Sequence, residues 1–289
     1  MTAAVLVDGV FLGAILCLAS LGLSLTYAVF RFPNFAHGDL ITVAGYGAWA
    51  GASAGGVWVG VVAAVLAAMT AALLADRLAL RGLLARGDAA AAIIGSFAIG
   101  LILRNLVVLL FGSDATESLM PLEIATPIWN SSLFSEARLT STEEAAIVGT
   151  MLLIVLGHLL LRRTEFGREL RAVAESPELA GVCGIVVPRV RLLAWCLTAG
   201  SCAAAGVALI MLGPVNPETG AEFMLPALAA VIAGGLGSIG GTLAGAALIG
   251  MAESVSVHFN LAEWRQVFSF LIIIVVLCIR PAGFAGRRA

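Results

Sequence analysis

The chain has 289 residues, 61% of them hydrophobic and 12% charged, with a formal net charge of −2. Water-soluble proteins carry about 25% charged residues, so the composition excludes an ordinary soluble domain and predicts an all-α polytopic membrane protein. All 16 basic residues are arginine, which excludes a P-loop, whose phosphates need a lysine, and excludes Schiff-base chemistry as well.

The first apolar stretch, residues 5–30, is uncharged from Gly9 to Phe30. About 20 helical residues cross a hydrocarbon core of about 30 Å, so this stretch spans. It lacks a basic leading region and does not read as a cleavable signal. Next comes Asn34-Phe35-Ala36-His37-Gly38-Asp39, followed by an uncharged run from Leu40 to Ala75. Polar groups at membrane depth are costly, and clusters of them mark a pathway or a packing joint. On the pathway reading, Asn34, His37 and Asp39 line a translocation path or its gate. On the joint reading, Asp39 caps the following span and His37 hydrogen-bonds a neighbouring helix. Span parity places the cluster at the inner end of the first span, beside Arg31.

Further spans read as 38–54, 56–76, 89–111, 144–161, 191–213, 223–253 and 264–280, about eight transmembrane segments in all. Arg104 falls late in its span and is expected to snorkel to the interface rather than line a polar cavity. Thirteen arginines fall at residue 31, in 77–88, in 162–191 and in the C-terminal tail, whereas Gly112–Glu144 holds only Arg138 beside six acids. The positive-inside rule puts the 112–143 loop outside, and the 162–190 loop and the C-terminus in the cytoplasm.

Within 162–190, Ser176 can cap a short helix with Pro177 at its first position and Glu178 in its first turn. That helix would end near Gly184 and be stopped by Pro188. Leu179, Val182 and Cys183 fall at i, i+3, i+4 and make one apolar stripe. The stripe suits docking in a groove of a soluble partner, or lying on lipid or on its own bundle.

The stretch 223–253 is about one and a half spans long, and parity requires it to enter and return. Its middle reads Gly234-Gly235-Leu236-Gly237-Ser238-Ile239-Gly240-Gly241, poor for an uninterrupted helix. It reads as two helical pieces joined by a turn, or as a re-entrant element, tolerated only when buried or lining a cavity. Gly234, Gly235, Gly237, Ser238 and Gly240 are therefore candidates for the path or gate, against the plainer role of close helix packing.

Cys17, Cys183, Cys196, Cys202 and Cys278 form no CxxC pair, so neither a disulfide framework nor a metal site is expected. His158 and His258 are lone histidines near span ends and receive no function. No convincing short repeat is visible, and residues 1–289 read as a single membrane domain.

Pro33 to Asp39 resembles the hallmark of the H-type permease subunit of branched-chain amino-acid ABC transporters, and so does Gly234 to Gly241. Phe166-Gly167-Arg168 through Gly184-Ile185 is similar to that family's cytoplasmic coupling loop. Arg280-Pro281-Ala282-Gly283-Phe284 is similar to its C-terminal ending. The matches run in order along nearly the whole chain. The resemblance implies a permease in the bacterial inner membrane, paired with a second related permease subunit (M type). It implies two ATPase subunits on the cytoplasmic face and an extracytoplasmic solute-binding protein. Glu178, Ala180 and Gly184 match the coupling-loop positions that face the ATPase. The chain itself would then be no enzyme, and would bind no cofactor and no nucleic acid. Branched-chain amino acids, or related small amino acids and amides, are the implied solutes. One departure stands out: Leu225-Pro226-Ala227-Leu228 replaces the family's common Leu-Lys-Ala-Phe, which makes the branched-chain solute a default. An ATP-independent carrier or channel is the alternative. An intramembrane enzyme lacks a convincing dyad.

Overall fold

The computed structural model describes residues 2–114, 116, 126–127, 138–139, 141–280 and 283–285. Most of the 112–143 loop lies outside these. Within it, β1 (Thr126–Pro127) pairs antiparallel with β2 (Arg138–Leu139).

The helices in chain order are α1 (Thr2–Phe30), α2 (His37–Gly55), α3 (Val57–Ala75), α4 (Arg81–Ala85), α5 (Ala89–Phe111), α6 (Ser141–Arg163), α7 (Glu165–Glu175), α8 (Pro177–Val182), α9 (Val187–Leu212), α10 (Thr219–Gly234), α11 (Ile239–His258) and α12 (Arg265–Ile279). A π-helical turn, Asp76–Leu80, carries α3 into α4. Among the described residues, six helical stretches are long and apolar enough to cross a membrane, or seven if α6 and α7, bent by 74°, count as one. The expected count of about eight was reached by including α2, which is diluted by glycine and polar residues, and by treating 223–253 as one span. The chain makes 223–253 from two antiparallel helices, and α10 has only 16 residues.

Small residues let these helices approach closely, as membrane interfaces favour. Gly60, Ala64, Ala68 and Ala72 form a fully inward stripe on α3. Gly60 and Gly51 face each other across α2 and α3. The join between the expected spans 38–54 and 56–76 is a sharp corner at Gly56, with φ +87°, a conformation that glycine adopts without a Cβ penalty.

The architecture is an inverted repeat that the sequence does not display. α1, α2, α3 and α5 correspond to α9, α10, α11 and α12. α1 packs on α11 as α9 packs on α3. α2 packs on α3 as α10 packs on α11, and α2 on α5 as α10 on α12. The crossed contacts α2–α9 and α10–α1 complete the set. α1 and α9 run antiparallel: Thr26 faces Thr198 at 3.0 Å, and Phe30 stacks on Trp195 with ring centroids 5.0 Å apart. Two units with matching helix contacts and opposite direction therefore share one core. In membrane transporters such repeats place discontinuous helices at the midplane.

Each unit contains one such discontinuity. After α1 reaches the arginine-rich end, residues 31–36 turn back along it, and α2 begins at His37. His37 touches Ala19 of α1, about 16 Å before the end of that helix at 1.5 Å per residue. The cluster thus sits in the middle of the bundle, not at the inner end of the first span. Residues 213–218 make the mirror-image return from the opposite end, and α10 begins at Thr219.

Candidate functional site

The two broken helices meet start to start. A Cβ on Gly38 would strike the Gly220 carbonyl, and one on Gly220 would strike Gly38, so both positions require glycine for the backbones to touch. The Gly220 N–H donates to Thr42 Oγ1 at 3.0 Å. The two starts also share one turn chemistry. Asn34 Oδ1 accepts from the Ala36 N–H at 3.2 Å, and the His37 N–H donates to the Asn34 carbonyl at 3.2 Å. In the second unit Asn216 Oδ1 accepts from the Glu218 N–H at 2.9 Å, and the Thr219 N–H donates to the Asn216 carbonyl at 3.2 Å. An asparagine side chain bonding its own backbone two residues on is an Asx turn. Here it supplies the reversal from extended return to helix.

The side chains around this joint are deeply buried. Asn34 is 1% exposed, His37 0% and Asp39 5%. His37 Nε2 lies 2.7 Å from the Ala19 carbonyl, so this nitrogen carries the proton and donates. That leaves Nδ1 to accept from the Cys202 thiol, 3.4 Å away. His37 therefore ties α2 to both α1 and α9. Asp39 does not cap α2: the N-cap residue is Ala36 and no side chain caps it. Asp39 instead accepts from Arg104 Nε at 3.0 Å. Arg104 accordingly turns inward and does not snorkel, because the buried Asp39 carboxylate is a better partner for it than the interface. In the second unit, Glu222 of α10 pairs with Arg265 at the start of α12 at 3.3 Å. Below Asp39, the Phe35 N–H donates to Ser96 Oγ of α5 at 3.0 Å. The Asn34 Nδ2 amide is buried without a hydrogen-bond partner among the described residues. The joint is thus polar, buried and flanked by two helix N-termini, each carrying the positive end of a helix dipole.

The glycine-rich stretch stands elsewhere. Gly235 and Gly237 have φ +100° and +80° and turn the chain between α10 and α11. Gly234 packs directly against Gly241. Ser238 caps α11, accepting from the Gly241 N–H at 3.3 Å. Gly237 lies beside Ala28 near the end of α1, so this hairpin corner belongs to the arginine-rich end and not to the central joint. The C-terminal motif explains part of its shape. Phe284 and Ala285 donate their N–H groups to the Ala233 and Gly234 carbonyls, at 2.9 and 3.0 Å, and so satisfy the last carbonyls of α10.

The 162–190 segment folds as two helices where one was expected. Thr164 caps α7, accepting from the Gly167 N–H at 3.2 Å. Thr164 with Glu165 behind it is a start signal that the sequence reading passed over. Arg31, at φ +61°, reaches the Ala174 carbonyl at the end of α7, and Arg171 reaches the Leu161 carbonyl. Ser176 caps α8, accepting from the Leu179 N–H at 3.3 Å. Glu178 is exposed and Ala180 is buried against the bundle. Gly184, at φ +86°, closes the turn after α8. Leu179 and Val182 are 68% and 87% exposed, so the apolar stripe faces away from the protein. Pro188 stands in the first turn of α9, which starts that helix earlier than the expected residue 191.

Sequence reasoning also missed Asp76. It is 4% exposed, accepts from Trp195 Nε1 at 3.0 Å and pairs with Arg81 at 2.7 Å, which pins the π-helical turn to α9. An acid flanked by Arg77 and Arg81 at the end of an apolar run was the available signal. Among the described residues, no three His, Cys, Asp or Glu side chains assemble as a metal-binding group.

Residues 5–277 match the family model described as the branched-chain amino acid transport system / permease component. The chain is 29% identical, over 97% of its length and 94% of that protein's, to the high-affinity branched-chain amino acid transport system permease protein LivH of Salmonella typhimurium. It is 31% identical, over 94% of its length and 89% of that protein's, to the probable branched-chain amino acid transport permease protein LivH of Methanocaldococcus jannaschii. Among solved structures, a metal-chelate type ABC transporter in an inward-facing conformation covers 96% of this chain and 85% of its own, with a TM-score of 0.54 at 15% identity, a likeness of fold.

Proposed function

The chain belongs to the branched-chain amino acid transport permease family, and on that premise we propose that it is a membrane subunit of an ABC importer in the bacterial inner membrane. It pairs with a second related permease subunit (M type). Two ATPase subunits seat on the face that carries α7 and α8, and an extracytoplasmic binding protein delivers solute to the opposite face. The solutes are branched-chain amino acids or related small amino acids and amides. The C-terminus is cytoplasmic. Residues 1–289 act as one permease domain, and no cofactor is held by this chain.

The match over residues 5–277 is the observation that carries this reading. The central joint supports it. Two helix N-termini in a buried, polar setting favour a carboxylate, and transporters place substrate sites where broken helices meet. In this reading Asn34, His37 and Asp39 belong to the path or its gate. Gly234, Gly235, Gly237, Ser238 and Gly240 shape the cytoplasmic corner of that path. Glu178, Ala180 and Gly184 form the ATPase-coupling element, with Leu179 and Val182 as its apolar contact. An exposed apolar stripe on a short helix suits a groove in a soluble partner.

The test is reconstitution in liposomes with the partner permease, the ATPases and the binding protein. Leucine uptake that requires ATP and all components is the expected result. Uptake by this chain alone, without an ATPase, would overturn the proposal.

A further inference from the structure

An apolar groove runs down the outside of the bundle between α1, α6 and α9. Its walls include Leu21 and Leu25 of α1, Leu153 and Leu160 of α6, and Leu197 and Ala204 of α9, and it has a volume of about 260 Å³. Gly157 and Gly200 also line it, and a Cβ placed on either would meet nothing within 4 Å. At the arginine-rich end the groove runs into a second cleft of about 250 Å³, with Leu25 and Leu161 lining both. This cleft has a different chemistry. His158, Arg162 and Arg171 line it, facing Ser238 and Gly240 at the N-terminus of α11. None of the described residues that line it is acidic. Arg171 is engaged with the Leu161 carbonyl, whereas Arg162 is exposed and unpartnered among the described residues.

We propose that one anionic phospholipid occupies groove and cleft together, with an acyl chain between α1, α6 and α9 and its phosphate beside Arg162 and Arg171. The groove opens at membrane depth, where the surrounding solvent is acyl chain. The cleft opens at the end where the arginines cluster, the level of the headgroups. Arginine binds phosphate through paired N–H donors, a helix N-terminus favours an anion, and basic pockets between transmembrane helices recognise acidic headgroups. The lipid bridges α6 and α7 to the turn before α11, so it braces the element that stands nearest the coupling helix. This inference rests on the membrane-spanning reading and is independent of the transported solute.

The experiment uses the full chain, purified from nanodiscs of equal phosphatidylglycerol and phosphatidylcholine, with retained lipid counted by native mass spectrometry. Retention of phosphatidylglycerol over phosphatidylcholine is expected. R162Q should lower phosphatidylglycerol retention about fivefold, the factor that corresponds to about 1 kcal/mol for one arginine near an anionic surface. G200L, whose Cβ meets no atom within 4 Å and whose longer side chain extends into the groove, should lower retention of both lipids. G157L serves the same purpose from the other wall. Folding of each variant is checked by the buried Cys202 staying closed to maleimide. Equal retention of the two lipids, or unchanged retention in folded R162Q and G200L, overturns the proposal.

Discussion

Replacing Arg104 by Met while Asp39 stays should destabilise the protein by about 3 kcal/mol. The figure follows from where the pair sits. Asp39 and Arg104 meet at 3.0 Å, with side-chain exposures of 7% and 25%. Breaking a buried pair typically costs about 3–5 kcal/mol, because the partner left behind is an uncompensated charge. The carboxylate is the more deeply buried of the two, so Arg104→Met leaves the worse orphan. Arg104 keeps a quarter of its side chain open, which sets the cost at the lower end. Asp39→Asn should cost less, because the long arginine side chain can reach for the interface. The double variant removes both charges, so its cost should fall below the sum of the singles by about 2 kcal/mol. Reversible unfolding in mixed micelles reads all three, with the five tryptophans as the fluorescent probe. Additivity within about 0.5 kcal/mol, the margin found for independent sites, would refute the pairing argument. Leucine uptake separates stability from mechanism. A double variant that regains stability but not uptake assigns the pair to the path, and one that regains both assigns it to the scaffold.

Three further outcomes follow from the geometry. Gly38→Val places side-chain atoms against the Gly220 carbonyl and should cost about 1–3 kcal/mol by overpacking; uptake per inserted molecule should fall with insertion itself preserved. Maleimide should label exposed Cys183 but not buried Cys17 or Cys202, and added ATPase subunits should protect Cys183, whereas unprotected Cys183 in an assembled complex would remove α8 from the interface. Trp195→Phe deletes the 3.0 Å bond to Asp76 and should cost about 1 kcal/mol, while Asp76→Ala leaves the buried Trp195 N–H without its acceptor and also removes the pair with Arg81, and should cost more in the same unfolding assay.

Much of the fold was legible because membrane spans announce themselves by length and by lack of charge. The bounds expected for the span 89–111 and for the end of the first span at residue 30 match α5 and the end of α1. The cap at Ser176 was readable because capping is local chemistry. What was not legible depends on contacts far apart in sequence. Asp39 looked like an N-cap because aspartate is a good one. Its partner is Arg104, 65 residues away, and a tertiary ion pair outweighs a local preference. The depth of the cluster was misjudged for a related reason. Parity counting assumes that every connection stays at the surface, and a chain that doubles back for six residues inside the bundle leaves no trace in hydropathy. The inverted repeat was invisible because helix-packing positions accept any small residue. Only the turn that starts α2 and α10 keeps a common pattern, Asn34-x-x-His37-Gly38 against Asn216-x-x-Thr219-Gly220, and a match so short is beneath notice without the structure.

The two returning segments are alike in length and turn chemistry, but they are tied to opposite faces. Residues 31–36 begin at Arg31, whose side chain holds the end of α7. Residues 213–218 include Val215, whose carbonyl accepts from the Thr116 N–H at 2.9 Å, a contact with the loop on the other side. The end of α7 is therefore linked to the start of α2 through residues 31–36, and Thr116 of the 112–143 loop is linked to the start of α10 through residues 215–218. Both converge on the contact between Gly38 and Gly220, where neither backbone has room to yield without moving the other. Packed interfaces of this kind switch between arrangements and do not deform gradually. The close approach of Gly38 to Gly220 and the hydrogen bond from the Gly220 N–H to Thr42 Oγ1 thus join two returns that are each tied to a different face.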